Sequence, residues 1–138
     1  MQKTVCFVRC IIIDDIVHHY CGYVGISDND VSVINNELLK TMNDNDKELF
    51  IYDAIADRIS VHGGVTFCDK FDKDNHLTPI SNIPDNWYEY HYYGFDLNHY
   101  NDDIMGISTD FEYAVKETLN MQKQLEEMIS RYVPSTGD

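Results

Sequence analysis

Basic residues are scarce in this sequence. Ten Lys and Arg face 24 Asp and Glu, a formal net charge of -14 over 138 residues. A chain with so few cations cannot displace the counterions of DNA or RNA phosphates, which excludes binding by that mode. The same shortage excludes attraction to an anionic membrane surface. Long apolar runs are missing too. The clearest one, in residues 4–13, is interrupted by Arg9, stopped by Asp14-Asp15 and followed by no small-residue cleavage site. It reads as a first strand and not as a signal peptide. No stretch approaches the ~18–20 apolar residues of a membrane span.

Cysteine is present only at Cys6, Cys10, Cys21 and Cys68, with neither a Cys-x-x-Cys nor a paired Cys/His spacing. That pattern argues against a structural zinc site. Three of the four lie in strand-like apolar runs, where a buried reduced thiol is expected. A reducing host cytosol is therefore the expected compartment. No repeat, low-complexity stretch or Gly/Ser-rich linker divides the chain, so residues 1–138 read as a single domain.

What is there suffices for a core: 43% of residues are apolar and 12% aromatic. Residues 4–14 and 19–26 read as strands, and Ser27-Asp28-Asn29-Asp30 as the turn after them. Residues 31–42 place Ile34, Leu38, Leu39 and Met42 at helical steps, and Asn43-Asp44-Asn45-Asp46 breaks that pattern. Residues 49–56 fit strand or helix. Residues 58–68 read as a strand with a bulge at Gly63-Gly64. Residues 69–86 form a polar loop, and residues 87–96 an aromatic strand. Thr109-Asp110-Phe111-Glu112 fits a capping box with Thr109 as N-cap. An apolar stripe from Phe111 to Tyr132 then predicts a long C-terminal helix. The fold class is α+β, a largely antiparallel sheet covered on one face by that helix. The stripe packs either on the protein's own sheet or on a second copy.

Histidine and carboxylate gather at Asp14-Asp15-x-x-His18-His19, at His62, and at Asp96-x-x-His99-x-x-Asp102. Pairing of the strands that carry His62 and Asp96 would converge these groups at one sheet end. Asp96, His99 and Asp102 are candidate ligands for a divalent metal, with His62 and His99 as acid/base groups if the protein is an enzyme. The alternative is structural: Asp96 caps a turn and His99 bonds the backbone. His62, the Gly63 and Gly64 amides and Thr66 could hold a phosphate, and the aromatic strand, Trp87 included, could stack a base. The same features also suit a sheet bulge and a core.

The motifs Cys21-Gly22-Tyr23-Val24, His62-Gly63-Gly64-Val65-Thr66 and Gly94-Phe95-Asp96-x-x-His99-x-x-Asp102 resemble, in that order, a family of small phage and prophage proteins of no established activity. The resemblance covers residues 21–132 and departs from the family in residues 69–86 and after Met42. It implies a shared site at His62, Gly63, Gly64, Asp96, His99 and Asp102, and a setting of counter-defence. The first expectation is sequestration of a small nucleotide-derived ligand. The alternatives are metal-dependent hydrolysis of that ligand, or an acidic inhibitor that occupies a nucleic-acid-binding groove of a basic host enzyme.

Overall fold

Val, Ile and aromatic residues crowd the first 26 positions, and such side chains favour the pleated surface of a sheet. The computed structural model describes residues 3–42 and 53–135. There the expected first two strands are β1 (Val5–Ile13) and β2 (Ile16–Ile26), an antiparallel hairpin with a bulge at Ile11/Ile12. Asp14 and Asp15 join them with φ of 53° and 62°. Positive φ at both central residues is what a two-residue type I′ turn requires.

The helix after β2 starts sooner than its apolar pattern predicts. Ser27 is not in a turn but is the N-cap of α1 (Asp28–Lys40), its Oγ accepting from the Asp30 N–H at 3.1 Å. Asp28 and Asp30 then sit in the first turn, where the helix dipole favours negative charge. The Asn43–Asp46 break and the start of the 49–56 segment lie outside the described residues. The rest of that segment resolves as a short helix, α2 (Ala54–Asp57), capped by Asp53.

Three more strands complete the sheet: β3 (Phe67–Asp69), β4 (Thr78–Pro79) and β5 (His91–Asp96). The order is β3-β5-β2-β1-β4 and every pairing is antiparallel. Two expected strands are shorter than predicted. Trp87–Glu89 is a 3-10 turn, so the aromatic strand begins at His91. Of residues 58–68 only Phe67 and Cys68 join the sheet, because α-helical side chains capture the earlier backbone, as described below.

The C-terminal helix α3 (Phe111–Tyr132) is present, with Asp110 and not Thr109 as N-cap; Asp110 Oδ1 accepts from the Tyr113 N–H at 3.0 Å. Ala114, Thr118, Met121, Leu125 and Ile129 are its buried face. They pack with Ile34 and Leu38 of α1 and Ile55 of α2 against Cys6, Val8, Val24, Tyr93 and Phe95. Gly22 permits the close approach: a Cβ there would lie 2.1 Å from Thr118 Oγ1. The helix stripe is thus used on the protein's own sheet. The opposite face is covered as well. Val5, Phe7, Tyr23 and Tyr92 pack beneath Phe71 and Leu77 of the polar excursion and Trp87 of the 3-10 turn. Among the described residues no helix is long and apolar enough to cross a membrane.

Candidate functional site

The end of the sheet where β5 finishes is built by three segments far apart in sequence. Residues 58–66 form a strap along α3. Ser60 N–H donates to Gln124 Oε1 at 2.8 Å, and its carbonyl accepts from Asn120 Nδ2 and Gln124 Nε2. His62 N–H donates to Glu117 Oε1 at 2.9 Å. These side chains satisfy the backbone that a strand would have used, which is why the strap is not in the sheet. Gly63 and Gly64, at φ 68° and 80°, then turn the chain back. It rejoins β5 through Thr66 N–H to Gly94 O at 2.8 Å.

The second segment is the loop after β5. Leu97 N–H donates to Tyr20 O and Tyr20 N–H to Ser108 O, so the loop leaves and returns beside β2. Within it, Asp102 Oδ2 accepts from the His99 N–H at 2.9 Å, and Asp102 N–H donates to His99 O at 3.0 Å. The third segment is the first turn of α3, which supplies Tyr113.

His62 ties the three together. Its Nε2 lies 2.9 and 3.0 Å from the two Asp102 carboxylate oxygens, and its Nδ1 3.0 Å from the Tyr113 hydroxyl. Burial works to raise the Asp102 carboxyl, but the His99 N–H and the His62 imidazole outweigh it and hold the group below its ordinary value. Burial, then the Glu117 and Asp102 carboxylates, push the Tyr113 hydroxyl up. The His99 ring stands 5.8 Å from that of His62, and its Nε2 is 3.3 Å from Asp96 Oδ1. That nitrogen is buried but not aligned for a hydrogen bond, while a third of the side chain is exposed. Asp96 itself accepts from the Asn98 N–H at 3.0 Å and the Thr66 hydroxyl at 2.8 Å.

The two glycines differ in role. A Cβ on Gly63 would sit 2.1 Å from His99 Nε2 and would have to displace the imidazole, and the φ of 68° there favours glycine as well. Around the Cβ position of Gly64 no atom lies within 4 Å, so that side is open.

The structure therefore brings His62, Gly63, Gly64, Thr66, Asp96, His99 and Asp102 to one sheet end. Trp87 is not with them. It stacks edge-on to Phe7 at 5.3 Å, on the face away from α3. Tyr113 and Glu117 belong to the site although in the sequence they only flank the apolar stripe; their i, i+4 spacing is the one signal the sequence carries. Both Asp102 oxygens are engaged by His62, which leaves the Asp96, His99, Asp102 set poorly placed for a metal. Among the described residues, Asp53, Cys68 and His91 are the group whose ligand atoms all lie within 4.8 Å of one another. A cleft of about 270 Å³ lies further along α3, lined by Arg58, Gln124, Glu127 and Arg131 among others. The four cysteines are free.

The fold and site define an antiparallel α+β domain with a histidine–carboxylate network at the end of its sheet. No protein-family model, no curated protein and no solved structure matches this chain.

Proposed function

We propose that the protein binds a small nucleotide-derived ligand at the His62–Asp102–His99 network and holds it without turning it over. The observation that carries this is the convergence of three separate segments on one partly open site, with space over Gly64 and an exposed edge of His99. The chemistry favours a particular orientation. The Thr66 hydroxyl and Gly64 N–H already serve protein acceptors, and Asp96 and Asp102 make the site acidic. A ligand is accordingly recognised by the N–H edge of its base, received by Asp96 and His99, with its phosphates turned to solvent. Tyr100, 93% exposed beside His99, takes the stacking role in place of Trp87.

Holding rather than hydrolysing follows from His62. Both of its ring nitrogens have protein partners, so His62 is committed to the network and is not free to act on a bound ligand. Together with the resemblance to small phage proteins, a binder of this kind suits counter-defence by sequestration in the host cytosol. The test is to incubate the protein with cyclic and linear nucleotides and chromatograph the ligand after release. Recovery of a bound nucleotide intact supports sequestration; a new product, with or without added metal, refutes it.

A second reading has its own support. Ile12, Ile13, Ile16 and Val17 are exposed at the β1–β2 hairpin tip, and Tyr100, Ile104 and Met105 in the loop at the same end of the sheet. Apolar residues beside Asp14, Asp15 and Asp103 suit docking on a basic protein. Such association weakens with salt and survives His99→Ala, the reverse of the ligand site.

A further inference from the structure

The other end of β5 carries a second constellation. His91 opens that strand, Cys68 lies on the neighbouring β3, and Asp53 precedes α2. Cys68 Sγ is 3.2 Å from His91 Nε2 and 3.2 Å from Asp53 Oδ2, and His91 Nε2 is 3.5 Å from Asp53 Oδ2. Each residue comes from a different element, which is why no Cys/His spacing betrays the group in the sequence.

Two uses of a thiol, an imidazole and a carboxylate are distinguishable by geometry. A nucleophile relay places thiol and carboxylate on opposite ring nitrogens. Here both converge on the same Nε2, and the thiol donates directly to the carboxylate. Burial first, then the Asp53 carboxylate, push the Cys68 thiol up to about 12, the opposite of an activated nucleophile. Three donors aimed at one point are instead the corners of a coordination polyhedron. Tetrahedral zinc, with Zn–S near 2.3 Å and Zn–N and Zn–O near 2.0–2.2 Å, requires ligand separations of about 3.4–3.6 Å. The two sulfur separations of 3.2 Å need to open by only a few tenths of an ångström, and the nitrogen–oxygen separation of 3.5 Å is already in that range.

We propose that Asp53, Cys68 and His91 form a binding site for a borderline divalent transition metal, Zn²⁺ above all, with the fourth position open to solvent. The mixed S, N, O donor set suits zinc and disfavours magnesium or calcium. The Asp53 side chain is 7% exposed and that of His91 20%. Cys68 is exposed as a residue, which leaves a path for the ion and for a fourth ligand. The Tyr93 hydroxyl donates to Asp53 Oδ2 at 2.5 Å, and Asp53 Oδ1 accepts from the Ile55 N–H at 2.9 Å. The carboxylate is therefore fixed at both oxygens, with Tyr93 bonded to the same Oδ2 that faces Cys68 and His91, and such outer partners orient metal-binding carboxylates. Binding converts the thiol to a thiolate and releases its proton to solvent. Asp53, His91, Asp69 and Tyr93 are the titratable groups around it, and although burial works to raise the Asp53 carboxyl, its bonds to His91, Tyr93, Cys68 and Asn35 hold it below its ordinary value.

The test is a titration of chelator-treated protein with Co²⁺, followed by Zn²⁺. The expected result is one equivalent of cobalt with a thiolate-to-cobalt charge-transfer band and tetrahedral d–d bands, all abolished by zinc. Cys68→Ser should remove the charge-transfer band. Tyr93→Phe should keep the band and weaken binding by about 10- to 100-fold. His91→Gln supplies the check should Cys68→Ser fail to fold, and it too should lose the tetrahedral spectrum. Absence of a charge-transfer band, or a band unchanged in Cys68→Ser or His91→Gln, overturns the proposal.

Discussion

Asp102 shows how much one side chain can organise. It accepts from a backbone N–H in its own loop and receives the imidazole of a strap 40 residues away. Its removal leaves His62 Nε2 and the His99 N–H without their acceptor. Asp102→Ala should therefore cost about 2–3 kcal/mol, measured by urea denaturation, since hydrogen bonds to a charged group are the stronger kind. The pH dependence has a definite sign. The Asp102 carboxyl is more acidic folded than unfolded, so its contribution is complete above the ordinary carboxylate value. It is lost as pH falls through the lower folded value. Acid unfolding of the wild type should include this loss, and that of Asp102→Ala should not. Four residues of this network, His62, Asp96, His99 and Asp102, are legible in the sequence because they stand in compact motifs; Tyr113 and Glu117 are not. Which atoms meet was not legible. The bond from His62 to Tyr113 depends on how α3 lies against the strap, and nothing in either segment's own pattern states that.

At the scale of elements, local pattern served where burial is periodic. The hairpin and α3 follow from apolar runs and a helical stripe. The strap failed as a strand because Gln124, Asn120 and Glu117 compete for its backbone, and that competition is tertiary. The hydrophobic cover on the second sheet face was likewise hidden, since Phe71 and Leu77 are isolated in a polar excursion. The hairpin yields its own prediction. Asp14 and Asp15 adopt left-handed φ, which Asn and Gly tolerate better. The double substitution Asp14→Asn, Asp15→Gly should stabilise the protein by up to about 1 kcal/mol, read from the denaturation midpoint. No gain, or a loss, would show that the turn is held by something other than backbone preference.

For the whole molecule the dominant fact is charge. A net charge of -14 repels itself in the compact state, and salt screens that repulsion over about 10 Å at 0.1 M. Raising salt from a few millimolar to about 150 mM should raise the melting temperature. A gain near 1 kcal/mol corresponds to roughly 4 °C at this size. The same charge explains why a ligand would present its base and not its phosphates to the site. It also sets the alternative of a basic protein partner, whose grip the same salt would loosen. Everything proposed for function rests on the network at the end of the sheet being the ligand site. The most direct measurement is thermal denaturation against a panel of cyclic and linear nucleotides, for wild type, His99→Ala and Arg58→Ala. A ligand site at this network should give a raised melting temperature for at least one nucleotide, worth about 2.7 kcal/mol at a hundred times its dissociation constant, lost in His99→Ala and kept in Arg58→Ala. No shift with any nucleotide, or a shift lost only in Arg58→Ala and so belonging to the arginine-lined cleft, would contradict it.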